Sequence, residues 1–507
     1  MKSWLGRHGW WLAIAAAYLY LFPHFPEIRS ANELPRVYLV QAMADHQTFA
    51  IDRYVDPRRP LADVSPANGH QYSNKAPGTS MIVVPFYWVL SRIAGPPSFE
   101  VTMWLSRVVS GVIPALLFLA LLARFLTQFA PDPNVRRLVL VAYAFGTMAM
   151  PYSQLFIAHQ LSAVVVASAW IIALEAARGS RGQSAFFAAG VLAGCGPLVD
   201  YQAAFALVPL GLHVLFALRR NAVRRLPHSG MLRPILLLAI GAAIPIAILL
   251  AYHAACFGSP LRTGYDASQT FAVYHQQGFL GITKLRAVAF WGTTVGPHFG
   301  LFSLSPWLLL VVPGVVTLWR RGMRDIALTC AATFVIYVLF ISSINFWRGG
   351  WSVGPRYITV ALPFLLPPIA AQLHAWRTRI VPISICAALI LVGVTIFTLA
   401  TATFPYWPEV FENPFHELTL RLLADGLVAP NVGTWIGVPA LVSLVPLCVI
   451  LGALLGPAMR AIGGWRIFAI AAPLAFAILL AYRWMPSTRK PDEPYQRILP
   501  AIRAAQR

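Results

Sequence analysis

The feature that most constrains this chain is a series of uninterrupted apolar runs that fills it from residue 9 to residue 484. The runs fall at 9–25, 103–124, 137–152, 155–175, 184–199, 202–218, 233–255, 301–319, 326–344, 357–375, 380–402, 434–456 and 467–484. They are continuous, not alternating, and most approach the roughly 20 residues that a helix needs to cross a bilayer core. In lipid every backbone N–H and C=O must find a partner inside its own segment, so continuous runs select helices over a barrel. Charged residues make up only 11% of the chain and hydrophobic residues 58%, whereas a soluble domain carries about 25% charged residues. The sequence therefore reads as an all-α integral membrane protein with about thirteen transmembrane helices. One polytopic domain covers 1–484, and a short polar tail, expected to be exposed, covers 485–507.

A net charge of +21 would suit a nucleic-acid partner, but its distribution argues against one. The arginines form short clusters between apolar runs, as topology signals do. Lys2 and Arg7 precede the first run; Arg136 and Arg137, Arg178 and Arg181, and Arg219, Arg220, Arg224 and Arg225 follow in turn. Arg320, Arg321 and Arg324, then Arg377 and Arg379, then Arg460 and Arg466 complete the set. With thirteen crossings all of them fall on one side, which the positive-inside rule makes cytoplasmic. The N-terminus is then inside and the C-terminus outside. No small-residue cleavage site follows the first run, so it reads as a retained span. The apolar segment 79–95 would reverse this order if it crossed; it is short and carries Pro85, and is expected as an interfacial or re-entrant helix. The five cysteines are scattered without CxxC spacing and read as packing residues.

This topology leaves outer segments at 26–102, 256–300 and 403–433. The first concentrates acids: Glu27, Glu33, Asp45, Asp52, Asp56 and Asp63, out of 18 in the whole chain. Residues 32–47 read as an interfacial helix with Asn32 as N-cap and Pro35 in the first turn. Its polar half would hold Glu33 and Arg36 near the headgroups. Lys75 precedes the turn Ala76-Pro77-Gly78, where an ammonium could hold a lipid phosphate or simply snorkel to headgroups. Arg356, in the tight segment Arg348–Tyr357, could clamp a phosphate bidentately or serve as a boundary arginine. Asp200, beside Tyr201, and His159 lie at the ends of apolar runs. Ionisable groups there are either functional or satisfied contacts within the bundle.

These residues together resemble the GT-C superfamily of polytopic glycosyltransferases. The similarity is greatest to family-39-type members, the protein O-mannosyltransferases and the lipid A aminoarabinose transferase. The resemblance rests on the acidic pair position Asn32-Glu33 with Arg36, on Asp63, Gly69, Tyr72, Lys75, Pro77 and Gly78, and on the strings GLFSLSP at 300–306 and GPRY at 354–357. It implies an inverting transfer of a sugar from a polyprenyl-phosphate donor to a glycolipid, glycan or protein acceptor at the outer face of a bacterial inner membrane. In that scheme Glu33, or Asp63 after it, is the general base, because Asn32 stands where the family has its aspartate. Lys75, Arg356 and Tyr72 take the donor phosphate, and Asn32, Arg36, His159, Asp200, Tyr201 and Tyr357 are further site candidates. No cofactor is demanded; the acids show no metal-ligand spacing, although the chemistry admits a divalent ion. The competing readings are a lipid-linked sugar flippase or transporter, and a glycan ligase or polymerase. A flippase would commonly show internal repeats, and the two halves of this sequence show none.

Overall fold

The computed structural model describes residues 2–505 except 23–24, 26–29, 56–60, 226–228, 276 and 279–280. Two of the acids singled out in the sequence, Glu27 and Asp56, lie outside the described residues. Among the described residues the chain is mainly helical, with one short two-stranded hairpin, and it is built as a polytopic membrane protein.

Helix α1 (Lys2–Tyr20) leads into the first outer segment. There α2 (Leu34–His46) is followed by the strands β1 (Val64–Ala67) and β2 (His70–Ser73), then by α3 (Val84–Ala94). The hairpin pairs Val64 with Ser73 and Ala67 with His70. Asn68 and Gly69 turn it, both with positive φ (52° and 77°), as a two-residue hairpin turn requires. The strands hand the chain directly to Lys75.

Among the described residues, eight helices are long and apolar enough to cross a membrane. In chain order they are α4 (Phe99–Gln128), α6 (Ala158–Ala177), α8 (Tyr201–Arg220), α9 (Gly230–Phe257), α11 (Arg324–Ser343), α12 (Arg356–Trp376), α13 (Ile380–Thr403) and α14 (Val442–Trp484). Between them lie the shorter α5 (Pro133–Phe145), α7 (Ser184–Val199) and α10 (Val311–Arg320). The difference from about thirteen expected spans has local causes. The run 137–152 is divided at Gly146 into α5 and a short helix, Ala149–Gln154. The run 301–319 is divided at Ser305-Pro306. Two expected spans are joined in α14, which bends at Gly463 and Gly464, where φ and ψ leave the helical region.

At 1.5 Å per residue α3 reaches about 16 Å, roughly half a bilayer core. It presents Phe86, Trp88, Val89 and Ile93 outward and turns Tyr87 inward to donate to Asp45 at 2.9 Å. Helix α2, expected on the membrane surface, is buried instead: Leu34, Arg36, Val37, Leu39, Val40 and Ala42 are all enclosed. Its N-cap position is Glu33, not Asn32.

Two central helices position the site. α6 and α12 are enclosed along most of their length, whereas α9 exposes Leu232, Leu236, Ile240 and Ile244. His159 is the second residue of α6 and Arg356 the first of α12, so both stand at one end of the bundle core.

Glu33 ties the outer segment to this bundle. Its Oε1 accepts from Arg107 Nε at 3.0 Å and from the Phe156 N–H at 2.7 Å, and its Oε2 accepts from the Tyr406 hydroxyl at 2.6 Å. Arg107 also donates to the Phe25 carbonyl at 3.0 Å. Both charges are shut away from solvent, so removing one strands the other, at a cost of about 3–5 kcal/mol. Arg107→Leu is therefore expected to lower the unfolding temperature in detergent by several degrees, and Arg107→Leu with Glu33→Leu to recover part of that loss. Equal unfolding temperatures for Arg107→Leu and the parent chain would contradict this role.

Candidate active site

A cleft of 1030 Å³ opens where the outer segments meet the ends of α6 and α12. Eight of the eleven residues singled out in the sequence line it: Asn32, Arg36, Asp63, Lys75, His159, Asp200, Arg356 and Tyr357. Glu33, Tyr72 and Tyr201 do not. Glu33 has both oxygens committed to Arg107, Tyr406 and the Phe156 amide, which is a bracing role and does not fit its ranking as first base. Tyr72 packs in the hairpin core against Phe257. Tyr201 turns away to pair its hydroxyl with His253 at 3.0 Å.

The local chain explains how the others converge. Asp63 takes a left-handed conformation (φ 64°) before β1, which sets its carboxylate against the chain emerging from β2. Its Oδ2 meets Lys75 Nζ at 2.9 Å and its Oδ1 accepts from the Asn74 amide at 3.2 Å. Gly78 then lets the turn press on the end of α7: a Cβ there would fall 2.6 Å from the Leu198 carbonyl oxygen. This close approach brings Lys75 beside the junction that carries Asp200. On the opposite wall Gly349 (φ +75°) makes room for Arg356, whose Nε would lie 2.7 Å from a Cβ at that position. Arg36 points its Nη1 at the Asn32 carbonyl at 2.6 Å and at the Asn32 side-chain oxygen. The Ser80 hydroxyl donates to the Arg36 carbonyl at 3.0 Å and joins α2 to the lysine turn.

The result is an excess of buried positive charge. Arg36, Lys75 and Arg356 are each less than 8% exposed and face Asp63 and Asp200. Burial pushes the Lys75 pKa down to about 8; Asp63 opposes the shift, and Arg36 and Arg356 add to it. Burial raises the Asp200 carboxyl, but His159, Gln202 and Arg36 outweigh it and leave its pKa below the ordinary value. Nε of Arg36, Nε of Arg356 and Nε2 of His159 are buried and have no hydrogen-bond partner among the described residues. Buried polar atoms without partners are costly, and here three of them belong to cleft-lining side chains.

Other lining residues carry weaker sequence signals. Tyr265, from the 256–300 segment, lies under Lys75 with the ammonium 5.8 Å from its ring. Glu409 receives the Gly350 N–H at 3.0 Å; as an acid in an outer segment it offered the same kind of clue as the first-loop acids. The tail, expected as an exposed extension, forms α15 (Asp492–Ala505) and walls the cleft with Arg497 and Ile498. It is held by Arg421–Asp492 at 2.6 Å and by the Tyr495 hydroxyl on Asp425 at 2.6 Å. Among the described residues no group of three or more His, Cys, Asp and Glu side chains could hold a metal ion.

No family model and no curated protein match this chain. Solved structures do. ArnT from Cupriavidus metallidurans in the apo state aligns over 93% of this chain and 78% of its own, with TM-score 0.50 and 13% identity. The chain shares its fold with that ArnT. A crystal structure of the same ArnT bound to undecaprenyl phosphate aligns with TM-score 0.49 and 13% identity over 94% of this chain and 78% of that one. Arabinosyltransferase EmbB from Mycobacterium smegmatis aligns with TM-score 0.46 and 12% identity, over 94% of this chain but 43% of its own. At such identities the likeness is one of fold.

The Lys75 shift has a consequence for stability. Between about 8 in the native state and 10.5 unfolded, the unfolded chain binds more protons, so this group makes stability rise with pH across that window. The unfolding temperature of the parent chain is expected to gain more, or lose less, between pH 8 and 9.5 than that of Lys75→Met. Parallel curves for the two would show that Lys75 titrates normally.

Proposed function

We propose that the cleft binds a polyprenyl-phosphate-linked sugar and transfers the sugar to an acceptor at the outer face of the membrane. The observation that carries this reading is the convergence of Arg36, Lys75 and Arg356, buried beside Asp63 and Asp200, with two guanidinium Nε atoms that have no hydrogen-bond partner among the described residues. Such an arrangement suits a buried anion better than a neutral ligand. Phe271, Phe346, Phe404 and Ile498 line the same cleft and suit an apolar chain attached to that anion.

The chemistry follows from the charge. As the glycosidic bond forms, the bond from the anomeric carbon to the lipid phosphate breaks, and negative charge grows on the departing phosphate. Cations already fixed around it stabilise that charge without reorganising. Arg356 offers a planar fork to two oxygens, and Lys75 a point charge. The acceptor enters from the side walled by Glu409 and α15. The arginine clusters support an orientation with this end of the bundle outside and the N-terminus in the cytoplasm.

The direct test is incubation of the purified protein with radiolabelled undecaprenyl-phosphate sugars and membrane extract. A labelled product is expected from at least one donor, and Arg356→Gln or Lys75→Gln is expected to lower kcat/KM about a hundredfold. Movement of an intact donor between leaflets without release of undecaprenyl phosphate would favour the flippase instead.

A further inference from the structure

We propose that the general base of this site is His159, with Asp200 as its positioning residue; the assignment rests on the transferase reading above. Asp200 Oδ2 accepts from His159 Nδ1 at 2.8 Å and from the Gln202 amide at 2.9 Å. The backbone carbonyl of Gln202 accepts from the Tyr337 hydroxyl at 2.9 Å. A carboxylate on Nδ1 selects the tautomer that carries its proton there and leaves the lone pair on Nε2. That Nε2 is buried without a hydrogen-bond partner among the described residues, on a side chain that lines the cleft. The ring is held edge-on between Tyr152, 5.8 Å away, and Tyr357, 5.5 Å away.

The remaining cleft acids are less suited to the task. Asp63 is paired with Lys75 at 2.9 Å through one oxygen and accepts from Asn74 at 3.2 Å through the other, so each oxygen already has a partner. Glu409 gives one oxygen to the Gly350 amide and stands on the outer wall, in the half-buried segment beside Pro408. An oriented imidazole with an open nitrogen is the arrangement that activates hydroxyl groups in hydrolytic His–Asp pairs.

The step balances as follows. The acceptor hydroxyl gives its proton to Nε2 of His159 while its oxygen forms the bond to the anomeric carbon of the donor sugar. The bond from that carbon to the phosphate oxygen breaks, and its electron pair leaves with polyprenyl phosphate, now a dianion among Arg36, Lys75 and Arg356. Asp200 stabilises the imidazolium, which returns its proton to water as product departs.

The test uses the full chain in nanodiscs, with the undecaprenyl-phosphate sugar that the parent turns over and undecaprenyl phosphate itself as binding probe. His159→Gln is expected to keep thermal stabilisation by undecaprenyl phosphate while kcat falls about a hundred- to thousandfold. The parent is expected to show a kcat that rises with pH along an acidic limb, and His159→Gln to lack that limb. The groups facing His159 that could contribute to it are Asp200, Arg36, Arg356, Tyr152 and Tyr357. Asp200→Asn is expected to lower kcat tenfold or more, roughly, by favouring the wrong tautomer. External imidazole should restore part of the activity of His159→Ala, a readout that a bracing role would not move. A His159→Gln enzyme with kcat within threefold of the parent, or one that no longer binds undecaprenyl phosphate, overturns the assignment. If the parent consumes no donor at all, the transferase reading falls first and this one with it.

Discussion

The pairing of Glu33 with Arg107 sets the geometry on which the rest depends. An outer segment of a membrane protein has no reason of its own to sit at a fixed height above the bundle. Here a fully buried carboxylate reaches into it, and Arg107, Tyr406 and the Phe156 amide use both of its oxygens. A buried ion pair contributes little net stability, because desolvating both ions offsets most of their attraction. It does penalise every arrangement that separates them. Helix α2 is thereby fixed, and with it Arg36, three residues beyond Glu33. A π-helical turn at Val108–Val112 follows directly after Arg107 in α4.

From that anchor the cleft assembles by short links. Ser80 bonds the Arg36 carbonyl, Tyr87 bonds Asp45, and the hairpin holds Asp63 against Lys75. The first two links join α2 to the 63–87 stretch and the third closes that stretch on itself, so the cations arrive together. The bundle supplies the other half through the ends of α6 and α12. The outer segments provide charges and the spans provide rigid places to aim them, a division that suits a site needing fixed electrostatics beside a lipid.

Much of this was legible from residue patterns, and what was missed has physical reasons. The apolar runs and the scarcity of charge were enough to identify the membrane class. Lys75 and Arg356 stood out because ionisable groups are rare near apolar runs and mark the mouths of clefts. The bracing of Glu33 was not legible, because its partner Arg107 is 74 residues away, invisible to local spacing. Hydropathy averages over the points where helices break or join, at Gly146, Pro306 and Gly463-Gly464, so these were not legible in the apolar runs. The hairpin was signalled by Asn68-Gly69, but its strands are four residues each and too short for a clear period of two. The docking of α15 depends on Tyr495, Ile498, Leu499 and Ile502, an amphipathic set hidden inside a mixed-charge tail.

The central claim is that Arg36, Lys75 and Arg356 exist to hold a lipid phosphate. The most direct measurement is a cryo-electron microscopy structure of the protein in nanodiscs with undecaprenyl phosphate added. The account predicts phosphate density within hydrogen-bond distance of all three side chains, with the prenyl chain leaving past Phe271 and Phe346. Lipid density elsewhere on the bundle, with the three cations contacting only Asp63, Asp200 and solvent, would contradict it.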